Sequence, residues 1–206
     1  MSATAGKLSL GEEVYLRGLT GRLVGINLFK GFNKIAIITY PDRICESISS
    51  AATVSYLDNY GYAENKIKIF DYDKNVKEVI KKIVEWNPEA IYLAFGGEQK
   101  MSDVNNITIN VIKSLKELGY KGNILIHVRT WLATKQLSTI LSDNELKEYL
   151  KSISGIRVFT ADANSRKFAF HIVTISEDGK ANINKYAETD ITQEHADLLK
   201  LSIPPS

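Results

Sequence analysis

With 206 residues, 44% of them hydrophobic, the chain can bury a substantial core, as one large domain or as a main domain with an incomplete second one. Its 26 lysines and arginines against 24 aspartates and glutamates leave a formal charge of +2, dispersed along the chain, which removes the general electrostatic case for nucleic acid. One cysteine, Cys45, excludes an intrachain disulfide, and no run is long and apolar enough to insert in a membrane.

The amino terminus has no charged region followed by an apolar one. As written, the chain is expected to be soluble and cytoplasmic. A removed export signal, or excision from a longer exported protein, would give the same sequence an extracytoplasmic setting.

Taken in order, residues 1–11 are small and polar and read as a tail, and 13–17 as a short strand. Thr20 is expected to cap a helix whose apolar positions Leu23, Val24, Ile26, Leu28 and Phe29 face a sheet, with Gly31 ending it. The run 34–40 reads as the first main strand. Ile44, Ile48, Ala51, Ala52 and Ser55 then recur at a helical period, with Asp42 as cap and Gly61 as stop. A strand at 66–70, a helix at 74–86 stopped by Asn87-Pro88, and a strand at 90–95 follow. Residues 98–104 read as irregular, 105–118 as a helix, 123–128 as a strand, 131–141 and 144–150 as helices, and 155–159 as a strand. The apolar runs 169–175 and 181–186 flank Ser176-Glu177-Asp178-Gly179, a hairpin signal, and 193–201 is a weak helix.

This alternation of strand and helix predicts an α/β fold in three layers: a mainly parallel sheet with helices on both faces. The expected division is a lead-in at 1–19, an α/β lobe at 20–175, and a hairpin return with tail at 176–206. Ligands of such sheets gather at the carboxyl ends of strands, which directs attention to the loops after Tyr40, Phe95 and Val128.

The chemistry available there is sparse. No glycine-rich phosphate loop of either common type is present. His127, His171 and His195 lack metal-ligand neighbours at useful spacing, so no metal or cofactor is expected. Cys45 has no histidine near it in sequence to act as base, and no nucleophile elbow occurs. An enzyme is therefore not expected, and the positive signals point to noncovalent binding in a cleft. Gly96-Gly97 either turns the chain sharply over the sheet or lets backbone amides approach a ligand, with Glu98 beside them as an anion. His127, at a strand end, either touches a ligand or is a core histidine bonded to backbone. Tyr40, Phe95 and Trp131, at or just past strand ends, either wall a small-molecule pocket or pack beneath loops.

The order of these elements resembles a known family. The segments Ser2-Ala3-Thr4-Ala5-Gly6-Lys7-Leu8-Ser9, Val14-Tyr15-Leu16-Arg17, Gly31 to Ile38 and Asn87 to Ala94 are similar to the second lobe of type I periplasmic binding proteins, in particular the branched-chain amino acid and related solute receptors of ABC transporters. The resemblance covers roughly residues 1–175. It implies two α/β lobes closing on a solute. Ser2 or Thr4 would hold its carboxylate, Tyr40 and Asp42 would line the cleft, and Glu98 would meet its ammonium. The family's first lobe would precede Met1, so the cleft's missing wall would come from that lobe or from a second copy in a homodimer. The functional expectation is binding of a small polar solute such as an amino acid. The alternative is a cytoplasmic ligand-sensing or regulatory domain acting through dimerisation.

Overall fold

The computed structural model describes residues 8–202. In chain order the described elements are α1 (Leu10–Leu23), a π-helical turn (Val24–Leu28), β1 (Ile35–Thr39), α2 (Arg43–Tyr60), β2 (Ile67–Asp71), α3 (Val76–Trp86), β3 (Ala90–Ala94), α4 (Met101–Glu117), β4 (Asn123–Ile126), α5 (Val128–Ala133), α6 (Ser138–Leu141), α7 (Asn144–Ser152), β5 (Gly155–Asp162), β6 (Lys167–Ile175), β7 (Ala181–Asp190) and α8 (Gln193–Ser202). The strands form one sheet in the order β2-β1-β3-β4-β5-β6-β7. The first five run parallel, and β6 and β7 are antiparallel. The predicted α/β sheet with helices on both faces is thus the fold observed.

The alternation of side chains along each strand sorts the core into two halves. Ala36, Ile38, Ile91 and Leu93 enter the half covered by α3, α4 and the short helices α5–α7. Ile35, Ile37, Ala90, Tyr92 and Ala94 enter the half covered by α2, the π turn and α8. Both faces of β1 and β3 are covered, so every residue of each is buried, as expected of parallel strands between helical layers. The division expected after residue 175 falls at the turn joining β6 to β7, and β7 extends the same sheet.

Residues 8–22 depart from the sequence expectation. Residues 13–17 are helical, and Thr20 lies inside α1 instead of capping a later helix. The helix starts at a capping box: Ser9 Oγ accepts from the Glu12 amide, and Glu12 accepts from the Ser9 amide at 2.7 Å. Gly21 and Gly25 then let this segment press onto α2. A Cβ at Gly21 would stand 2.4 Å from the Ile48 carbonyl, and one at Gly25 would stand 2.3 Å from that of Ala52. Glycines that count against a helix in isolation are here what permits the close crossing.

Two other expectations are corrected. Residues 101–104, read as irregular, belong to α4. The single helix expected at 131–141 is split into α5 and α6 by Lys135, Gln136 and Leu137, all with positive φ. Leu137 is buried, and its amide donates to Thr134 Oγ1 at 3.2 Å, so packing and a side-chain bond hold the left-handed turn.

Candidate functional site

From β1 the chain first adds β2 on one side and then returns to place β3 on the other. The order of the sheet therefore reverses between β1 and β3, and the candidate crevice is the switch point at their carboxyl ends, the position where such folds take ligands. Asp42 rises from the first loop and caps α2 by accepting from the Cys45 amide at 2.7 Å. It also accepts from the Glu98 amide at 3.5 Å and from the Gln99 side-chain amide, which ties the loop after β1 to the loop after β3.

Gly96 and Gly97 are needed for close packing. Gly96 has φ of +114°, and a Cβ there would lie 2.7 Å from Arg129 Cβ. A Cβ on Gly97 would lie 2.4 Å from an Asp42 carboxylate oxygen. Arg129, at the start of α5, closes the far side. Its guanidinium donates to the carbonyls of Gly96 at 3.1 Å, Gly97 at 2.8 Å and Gln99 at 3.0 Å. Thr130 adds a bond to the Phe95 carbonyl at 3.3 Å. Among the described residues, buried Arg129 Nε and Gln99 Oε1 find no partner.

Beneath the crevice, on the α1 side, lies a second polar group. His127 donates to or accepts from the Tyr92 hydroxyl through Nδ1 at 3.1 Å. Burial, reinforced by the charges of Arg17 and Arg129, lowers the His127 pKa to about 3, so the ring is neutral. Arg17 is 8% exposed. Its guanidinium donates to Ser202 at 3.1 Å and lies 3.5 Å from Glu13, while Nε has no partner among the described residues. Cys45 is fully buried; burial and then Asp42 push its thiol up to about 12. A thiol so protonated is no nucleophile. Nearby, Thr20 meets His195 Nε2 at 3.3 Å, and burial followed by the charge of Arg17 lowers His195 to about 4.

The structure thus brings together Asp42, Gly96, Gly97 and Glu98, with His127 deeper in the same end. Glu98 is exposed at the lip. Tyr40 stacks on Tyr72 at 5.7 Å, and Tyr72 meets Phe95 edge-on at 5.9 Å, so three rings step across the ends of β1, β2 and β3. Phe95 and Trp131 are 0% and 3% exposed and sit in the core facing α4. Of the two readings open for Phe95 and Trp131, the structure has them packed within the core of this chain. Ser2 and Thr4 lie outside the described residues.

Sequence reasoning missed both arginines. Arg129 stands three residues past the end of β4 and was legible as a strand-end cation. Arg17 required recognising Ser9-Leu10-Gly11-Glu12 as a helix start, which turns positions 13, 16, 17 and 20 into one face. Among the described residues, no group of three or more His, Cys, Asp or Glu side chains is placed to hold a metal ion, and no helix is long and apolar enough to cross a membrane.

Comparisons with known proteins give partial matches. An uncharacterized protein of Aquifex aeolicus (strain VF5) is 25% identical over 137 residues, 66% of this chain and 60% of that one. Among solved structures, a putative branched-chain amino acid ABC transporter protein from Rhodospirillum rubrum is 16% identical with a TM-score of 0.49, covering 70% of this chain and 37% of its own. The leucine binding protein LivK of Thermotoga maritima is 13% identical with a TM-score of 0.49, covering 73% and 39%. A solute binding protein of an ABC transporter from Rhodopseudomonas palustris BisB5, in complex with 3,4-dihydroxy benzoic acid, is 10% identical with a TM-score of 0.49, covering 86% and 65%. The chain therefore spans less than two thirds of each of these proteins. One family model, described as "Uncharacterized protein", matches residues 13–198, nearly the whole chain, and the protein belongs to that family.

Proposed function

We propose that the chain binds a small polar solute of amino-acid type, without chemical change, in the crevice between the loops after β1 and β3. The observation that carries this reading is a pair of buried atoms in one clamp with no partner among the described residues, Arg129 Nε as donor and Gln99 Oε1 as acceptor. Such groups cost roughly 1–3 kcal/mol each when left unmade. A solute carrying both a carboxylate and an ammonium offers the complement of each. In this reading Glu98 adds an anion at the lip for the ammonium, Asp42 and the two glycines fix the crevice wall, and Tyr40 and Phe95 support it from below. His127 and Trp131 act from behind as fixed packing. Any contribution of Ser2 and Thr4 comes from the segment before α1.

Isothermal titration with the free amino acids, singly, tests the reading. At least one is expected to bind, and its N-acetyl and amide derivatives are expected to bind at least about tenfold more weakly, since each loses one charged hydrogen bond. Gln99→Ala should weaken binding while leaving the fold intact. Absence of heat for every amino acid at millimolar concentration would overturn it.

A further inference from the structure

Away from the strand ends, a groove of about 880 Å³ runs between α1 and α2. Its α2 wall includes Arg43, Ser47, Ser50, Ala51, Val54 and Asp58. At 3.6 residues per turn these six positions fall within about 50° of one line along the helix. Ser50 and Ala51 straddle the middle of that line. Arg43 and Asp58 stand equally far from the middle, about 11 Å in opposite directions at 1.5 Å per residue. They carry opposite charges, and among the described residues neither takes part in an ion pair. Val54 is 68% exposed, the most exposed aliphatic residue of the helix.

We propose that this groove receives a second copy of the same chain, forming an isologous dimer in which α2 of each molecule lies antiparallel against α2 of the other. A two-fold axis through the midpoint between Ser50 and Ala51 brings Arg43 of each copy to Asp58 of the other, and Ser47 to Val54. The smallest residues then meet at the closest approach. Only a partner with the same charges in the reverse order satisfies both ends at once, and a second copy supplies that order by symmetry. The groove also carries Arg22 and Glu46, so its four charges cancel and two copies meet without net repulsion. Room for the incoming Val54 exists beside Gly18, where an added Cβ would meet only Ser47 Oγ, at 3.7 Å.

Sedimentation equilibrium of the full chain across the micromolar range tests this directly. The wild type should be dimeric. Arg43→Glu and Asp58→Arg each set like charges against one another at both ends of the interface, and each should raise the dissociation constant at least about tenfold. The double variant R43E/D58R restores opposite charges and should dimerise like the wild type. Val54→Glu should give a monomer. Positions 43, 54 and 58 are exposed, so far-UV circular dichroism of every variant should match the wild type. A wild type that stays monomeric at high micromolar concentration overturns the proposal. So does a dimer whose mass ignores both single substitutions, or a double variant that fails to re-form it.

Discussion

Arg157 and Arg129 clamp loops at opposite ends of the same sheet, and the contrast separates polarity that the described residues satisfy from polarity that they leave open. Arg157, near the start of β5, donates to the carbonyls of Leu28 at 3.2 Å and Lys30 at 2.8 Å, at the exit of the π turn. Its guanidinium lies between the rings of Phe32 and Tyr186, at 4.4 and 5.2 Å. The Tyr60 and Tyr186 hydroxyls take the neighbouring carbonyls of Ile26 and Asn27. The helix-end acceptors there have partners from within the chain. At the carboxyl end, Arg129 makes more bonds to carbonyls and still keeps a buried donor with no acceptor among the described residues, as does Arg17 beneath it. One end is closed by its own side chains. The other holds polarity that no described residue neutralises.

Acid should break the carboxyl end most severely. His127 and His195 have folded pKa values of about 3 and about 4, below the ordinary 6.5. Their contribution is full above pH 6.5. As pH falls from 6.5 towards 4, the unfolded chain gains protons that the folded chain excludes, and stability drops by about 1.4 kcal/mol per pH unit for each ring. Urea midpoints measured from neutral pH down to about 4.5 should follow that slope. In His127→Gln, which keeps a side chain able to bond Tyr92, the slope should fall by about 1.4 kcal/mol per pH unit, the share of that one ring.

Removing each clamp sharpens the contrast. Arg129→Ala deletes three charged hydrogen bonds to a buried loop and should cost about 3 kcal/mol by denaturant titration, with loss of solute binding. Arg157→Ala should cost about 1–2 kcal/mol, because its carbonyl partners can turn to water. Solute affinity in that variant should stay unchanged. Smallest is Tyr186→Phe, expected to cost about 0.5–1 kcal/mol through the lost bond to Asn27.

The parallel core was legible because its strands are nearly continuous apolar runs punctuated by helical periods and by Asn, Pro and Gly. The turn between β6 and β7 was legible for a similar local reason: Ser176 accepts the Gly179 amide at 2.9 Å, and Gly179 takes φ of +79°. The amino-terminal helix was not legible. Gly11, Gly18, Gly21 and Gly25 each weigh against helix by up to about 1 kcal/mol in isolation, and the compensation is contact with α2, which no local window contains. The far half of β7 was hidden because Glu188 and Asp190 interrupt its pattern; they pair with Lys167 on the neighbouring strand. Of the site, the strand-end positions of Asp42, Gly96, Gly97 and Glu98 were readable from order alone. Arg129 was open to the same argument from order; Arg17 was not, because a dispersed cation looks like solvated surface until the fold buries it.

Cys45 offers an internal gauge of how this end of the molecule breathes. The chain has one sulfhydryl, and in the folded state it is shielded twice, by coverage and by a thiol pushed up to about 12. Alkylation at mildly alkaline pH therefore proceeds only through conformers in which the start of α2 has lifted away from Gly97, and its rate tallies those openings. Labelling faster than global unfolding would identify a local excursion of the β1–α2 junction. A solute seated between the loops would slow that excursion and leave the global unfolding rate unchanged, so one chemical reaction reports occupancy of the crevice without any label being engineered into it.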